Sequence, residues 1–246
     1  MIPEIARVTA RQVLGRRRTI LLALLAAIPV LLALLFRLAG PNSPRAIDAF
    51  TQSVFVAMIV TLLLPLVALV FGTAAFGTEI EDGTVVYLLA KPVPRWRTVL
   101  AKWAVAGTAS AVLAGGATVL AGLIGLAGTP NGVETTIGFA VAVVIGAVIY
   151  AGVFVALSLV TGRALIAGLL YVLVWEGALA DLFSGIRFLS IRQYILAIAD
   201  AAGAGGRIDA DTLDLPTAVI LAAIVTVGAV VVAVRRLSVF EIPQAD

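Results

Sequence analysis

Along the chain, long apolar runs alternate with short polar ones. Almost charge-free stretches occupy about 19–39, 53–76, 99–127, 135–160, 164–183 and 215–234. Each is close to or above the roughly 20 residues that a helix needs to cross a ~30 Å hydrocarbon layer. In lipid, a helix satisfies its own backbone groups. The pattern predicts an all-α, polytopic membrane protein with six transmembrane helices in a single domain over 1–246. Pro29 and Pro65 fall inside the first two spans, where each removes a backbone donor and is a candidate kink.

The connecting segments differ in character. The first, "IPEIARVTARQVLGRRR", places Ile5, Val8 and Gln12 on one helical stripe and Arg7 with Arg11 on another. It reads either as an interfacial helix over 1–18 with its arginines toward lipid phosphate, or as a plain basic topology anchor. The apolar run after it is longer than a signal-peptide core of about 7–15 residues and no A-x-A site follows, so it is expected to be a retained helix. "GPNSPRAID" and "GTPNGVE" are short and rich in turn formers, as antiparallel hairpins require. Gly107, Ala111 and Gly115, like Gly138, Ala142 and Gly146, recur every four residues and are expected to be packing seams. The segment 184–214 carries a Phe188, Ile191, Ile195, Ile198 stripe flanked by Arg187 and Arg192. Two arginines argue against a further span, which leaves a broken, amphipathic or re-entrant helix at the outer surface, followed by a glycine-rich loop.

Composition agrees. Apolar residues make up 62% and charged ones 13%, with a mean hydropathy of +1.14, whereas a soluble domain carries about 25% charge. There is no cysteine and no histidine, which removes disulfides, thiolate and imidazole metal ligands, and the commonest general base. Met1 and Met58 are the only thioethers, so soft-metal handling is not expected. Nucleic acid is not implied as a partner.

Charge then sets the orientation. With six spans, one side receives Arg7, Arg11, Arg16, Arg17, Arg18, Lys91, Arg95, Arg97, Lys102, Arg163, Arg235 and Arg236, twelve of the seventeen bases. The other receives Arg37, Arg45, Arg187, Arg192 and Arg207. The positive-inside rule puts the first group, and both termini, in the cytoplasm of a protein of the cell's inner (plasma) membrane.

Candidate chemistry is sparse. Glu176 and Asp181 are the acids within or near a span, and they are the candidate pathway or gate residues. A carboxylate at mid-bilayer costs roughly 2.5–3.5 kcal/mol on insertion scales. Glu176 therefore faces a polar path, accepts backbone N–H groups where the fifth helix breaks, or sits at the outer interface. No G-x-x-x-x-G-K-[ST] and no Gly-Lys pair occurs, so any ATP must be bound by another polypeptide.

The densest charge lies in the loop 77–98. Glu79, Glu81 and Asp82 precede Gly83 and Thr84, and "TVVYLLA" follows with apolar Val85, Leu88 and Leu89. Acids at a helix N-terminus, a capping Thr84 and a flexible Gly83 predict a short helix. "KPVPRWR" ends it, and Arg95, Trp96 and Arg97 are positioned as interface anchors, as are Arg7, Arg11, Arg16, Arg17 and Arg18.

This loop, "EDGT" then a short apolar helix then "KPVPRW", resembles the first cytoplasmic loop of type 2 ABC exporter permeases, as does the six-span layout with both ends inside. Ile80 stands where that family often has arginine between the acids. The resemblance implies that the segment from Thr84 to Ala90 is a coupling helix seated in an ABC ATPase subunit, with Glu79, Glu81, Asp82, Gly83, Thr84, Val85, Tyr87, Leu88 and Leu89 as the ATPase-coupling residues. It implies two ATPase copies and a second permease chain, in a homodimer or heterodimer. It also implies no cofactor on this chain, with ATP and magnesium in the partner, and export of a hydrophobic or amphipathic substrate. A proton-coupled secondary transporter using Glu176 and Asp181 is the alternative, although no internal repeat of the usual carrier kind is visible. An intramembrane enzyme lacks a nucleophile, base or metal cluster.

Overall fold

The computed structural model describes residues 16–40, 43–81, 94–179, 188–208 and 213–239, and among them the regular structure is helical, with no strand. Helix α1 (Arg16–Leu38) continues through Pro29. Helix α2 (Pro44–Phe50) begins well ahead of the expected second span. Ser43 is the cause: its Oγ accepts the Ala46 N–H at 3.3 Å, and Pro44 takes the first helical position, where its missing donor is not needed. Much of the expected turn is therefore the start of a helix.

From Thr51 to Leu63 the helix winds wide, with π-type turns, before helix α3 (Leu64–Glu81) resumes α geometry. Within it the Thr61 hydroxyl donates to the Val56 carbonyl, five residues back, at 2.9 Å. Pro65 follows directly, so the proline coincides with a change of winding. The third helical stretch is α4 (Arg95–Ser110), a wide turn at Ala111–Gly115, and α5 (Gly116–Gly125). Helix α6 (Gly132–Val160) follows, then α7 (Ala164–Leu170), which continues as a wide-turned stretch Tyr171–Leu179. Helix α8 (Ile191–Ala199) and helix α9 (Leu215–Val239) complete the order.

Five of these stretches are long and apolar enough to cross a membrane: Arg17–Leu38, Pro44–Gly77, Arg95–Gly125, Gly132–Val160 and Leu215–Val239. The expected fifth span is described only to Leu179, and its apolar part, Ala164–Gly177, is shorter. Six expected spans thus meet five among the described residues.

Helix α6 is the hub, packed against α3, α4, α5, α8 and α9. Its small residues explain why. A Cβ on Gly146 would lie 2.5 Å from Ile195 Cδ1, and one on Gly138 would lie 2.9 Å from both the Ala199 carbonyl oxygen and the Ala204 nitrogen. The Gly138–Ala142–Gly146 stripe is therefore the groove that seats α8. Gly107 and Gly115 approach Val148 and Val144 of the same hub, so the other stripe is also a packing seam. By contrast α1 and α9 expose much apolar surface, including Leu21, Leu35, Val219 and Ile224, as a lipid-facing or partner-facing helix must.

Candidate functional site

Two polar constructions stand out in this apolar bundle, one toward each end. The first joins the two helices that lead into and out of the segment 82–93. Glu79 lies in the last turn of α3, and Lys102 lies two turns into α4. Their side chains meet at 2.8 Å, with Lys102 1% and Glu79 12% exposed. Lys102 Nζ also donates to the Ala75 carbonyl and lies 4.4 Å from the centre of the Phe76 ring. The ammonium is thus held by a carboxylate, a carbonyl and an aromatic face, the kind of full complement a buried charge requires.

Around this pair the same end of the molecule is basic. Arg95 donates to the Leu237 carbonyl at 3.0 Å and to the Ser238 carbonyl, so a cation sits on the C-terminus of α9. Trp96 is 48% exposed, and the Arg97 guanidinium stacks over its ring at 5.2 Å. Arg17 and Arg18 start α1 on exposed positions, with Arg16 as its first residue. Glu81 is the last residue of α3. The remaining expected coupling residues, Asp82, Gly83, Thr84, Val85, Tyr87, Leu88 and Leu89, lie outside the described residues, as do Arg7, Arg11 and most of the interfacial segment 1–18.

The second construction surrounds Glu176, which is 1% exposed. Its Oε1 accepts the Tyr171 hydroxyl at 2.7 Å and the Ile191 N–H at 2.9 Å. Its Oε2 accepts the Ser190 hydroxyl at 2.5 Å and the Arg192 N–H at 3.4 Å. The Arg192 guanidinium in turn donates to the Glu176 carbonyl at 3.4 Å. Glu176 therefore caps α8 with its side chain, placing a negative charge on the helix's positive end. The wide winding from Tyr171 to Leu179 makes this possible. Residues five apart, Tyr171 and Glu176, come close to one face there, as they would not on an ordinary α-helix.

Among the described residues, the Glu176 carboxylate thus meets the two backbone N–H groups that open α8. Helix α8 is buried on nearly every face, with Ile191, Tyr194, Ile195 and Leu196 at or below 1% exposed. Phe188, expected on the same stripe, is half exposed instead, because it precedes the helix. Asp181 and Arg187 lie outside the described residues. Among the described residues no cluster of metal-ligating side chains is present.

Sequence reasoning counted Lys102 only as one of the inner bases and gave it no partner. The available signal was spacing. Glu79 lies three residues beyond one expected span and Lys102 three residues inside the next, so a helical hairpin sets them level.

Residues 14–178 match the family described as ABC-2 family transporter protein. The chain belongs to that family. The match includes the Glu79–Lys102 pair and Glu176, and ends ahead of α8 and α9. A comparison with curated proteins found no match. As a member of the ABC-2 family the chain is a multi-pass membrane protein and the permease subunit of an ABC transporter, a class that works with an ABC ATPase.

Proposed function

We propose that this permease subunit exports a hydrophobic or amphipathic substrate, driven by two copies of a separate ATPase that dock on the segment from Thr84 to Ala90. The buried Glu79–Lys102 pair carries the reading. It fastens the helix entering the segment 82–93 to the helix leaving it, so a force applied between them moves α3 and α4 together. Such a lever converts closure of an ATPase pair into a tilt of the spans, a rigid-body change driven by differential affinity for two states.

In this reading the stretch 164–183 forms the sixth crossing together with the five long helices, and α8 dips into the outer half of the bundle. The basic end carrying Arg17, Arg18, Arg95, Arg97, Arg163, Arg235 and Arg236 faces the cytoplasm. Both termini follow it there, in the inner (plasma) membrane. A second permease chain, identical or related, completes the transporter, and the exposed apolar faces of α1 and α9 supply surface for lipid and for that partner. ATP and magnesium stay on the ATPase, and this chain binds no cofactor of its own.

The saturated hydrogen bonding of Glu176 speaks against the proton-coupled alternative, since its carboxylate accepts four donors that hold α8 in place. The decisive experiment purifies the full chain with its genomic neighbours. An ATP-hydrolysing subunit bound at a 1:1 ratio is the expected result. An active, stable transporter lacking any ATPase overturns the reading.

A further inference from the structure

A cavity of about 510 Å³ opens at the basic end of the bundle, between α1, α3 and the turn that joins α6 to α7. Arg18 and Arg163 line it, and their guanidinium groups find no partner among the described residues. Of the three hydroxyls in its described wall, Thr73 and Ser158 donate to carbonyls of their own helices, at 2.7 Å each, and Thr161 accepts the Arg163 N–H at 3.2 Å. No aspartate or glutamate is among the described residues that line it. Most of its other described lining is apolar, with Leu22 and Val70 among the side chains. Leu21 and Ile166 line it too and are 66% and 58% exposed, so it opens sideways onto an exposed apolar face of the bundle.

An anion with a hydrocarbon body matches this layout, and the volume lies within the usual ligand range of about 300–1,000 Å³. We propose that the cavity binds one anionic phospholipid of the cytoplasmic leaflet, its phosphate between Arg18 and Arg163 and the start of an acyl chain against Leu22 and Val70. A free phosphate would satisfy the two cations but leave the apolar depth and the lateral opening without an occupant. The leaflet assignment rests on the orientation proposed above. Lipid retention is read without any ATPase, so failure of either reading is distinguishable from failure of the other.

The test reconstitutes the full chain in nanodiscs of equal phosphatidylglycerol and phosphatidylcholine, then counts retained lipids by native mass spectrometry. One retained phosphatidylglycerol, enriched about tenfold over phosphatidylcholine, is expected, since basic residues near the membrane favour anionic headgroups. Arg18→Gln with Arg163→Gln removes two exposed charges, so folding is preserved and the enrichment should vanish. Gly77→Leu keeps both arginines and projects a side chain into the cavity, since a Cβ at Gly77 meets no atom within 4 Å. It should also lose the lipid. Equal retention of the two lipids, or enrichment untouched by the arginine pair, overturns the proposal. Enrichment that survives Gly77→Leu reduces it to surface attraction, and displacement by inorganic phosphate alone makes the site one for a free anion; each outcome rejects the bound lipid.

Discussion

Glu176 shows how a charge becomes tolerable inside an apolar bundle. The four donors around it are a hydroxyl on its own helix, a hydroxyl just ahead of α8, and the first two N–H groups of α8. Glu176→Ala strands all of them, and an unsatisfied buried donor costs about 1–3 kcal/mol. We therefore expect Glu176→Ala to destabilise the detergent-solubilised protein by about 3 kcal/mol in thermal unfolding. Glu176→Gln, which keeps two acceptor lone pairs, should lose about half of that and retain transport. A proton carrier would behave the other way round: transport would fail in Glu176→Gln while stability held. Asp214 caps α9 in the open, its Oδ2 accepting the Thr217 N–H at 3.1 Å. That hydrogen bond holds its carboxyl below the ordinary aspartate value. The folded pKa is depressed, so the cap's stabilisation is present in full above about pH 4 and is lost as pH falls through the lower folded value. Hydrogen exchange at the first turn of α9 should accelerate in that acid window. Asp214→Asn should remove the pH dependence without releasing the turn.

At the scale of elements, the Glu79–Lys102 pair makes the helices flanking 82–93 a unit. Breaking a buried pair on one side costs about 3–5 kcal/mol because the other charge is left behind. Lys102→Met should therefore destabilise by about 3 kcal/mol, while Lys102→Met with Glu79→Gln should recover most of the loss. If the pair is the lever, the recovered double variant still transports less substrate per ATP hydrolysed. A double variant with wild-type stoichiometry would leave the pair a purely structural clamp. The helices themselves were largely legible, since hydropathy alone locates every long one. The start of α2 was hidden because Ser-Pro reads equally as a turn and as a helix N-terminus. The wide windings at Thr51–Leu63 and Tyr171–Leu179 were hidden because an apolar run looks the same at either pitch. Glu176 was legible as an oddity because a lone acid in lipid needs donors, and the N-terminus of α8 offers two of the four it accepts. The groove for α8 was legible only as small residues at Gly138 and Gly146, with nothing to say what they receive.

For the whole molecule, the unequal placement of bases is the feature that orders its two ends. One end holds Arg17, Arg18, Arg95, Arg97, Arg163, Arg235 and Arg236, and α3 brings Glu79 to that same end. Glu79 is engaged inward with Lys102, and in the proposed docking Glu81 and Asp82 make the contact with a cationic surface on an ATPase. Charge pairs at a docking rim act mainly on association and on register, so their reversal should weaken capture without unfolding the bundle. Glu81→Lys with Asp82→Lys is therefore expected to insert and assemble normally. It should raise the salt sensitivity of ATPase binding and cut transport per ATP by about tenfold, about 1.4 kcal/mol of lost coupling. The contrast with Lys102→Met is the informative part. The reversal should change binding of the ATPase with no loss of thermal stability, whereas the buried pair should change stability first. Unchanged transport and unchanged ATPase affinity in the double reversal would place the docking surface elsewhere on the molecule and leave these two acids without a role in it.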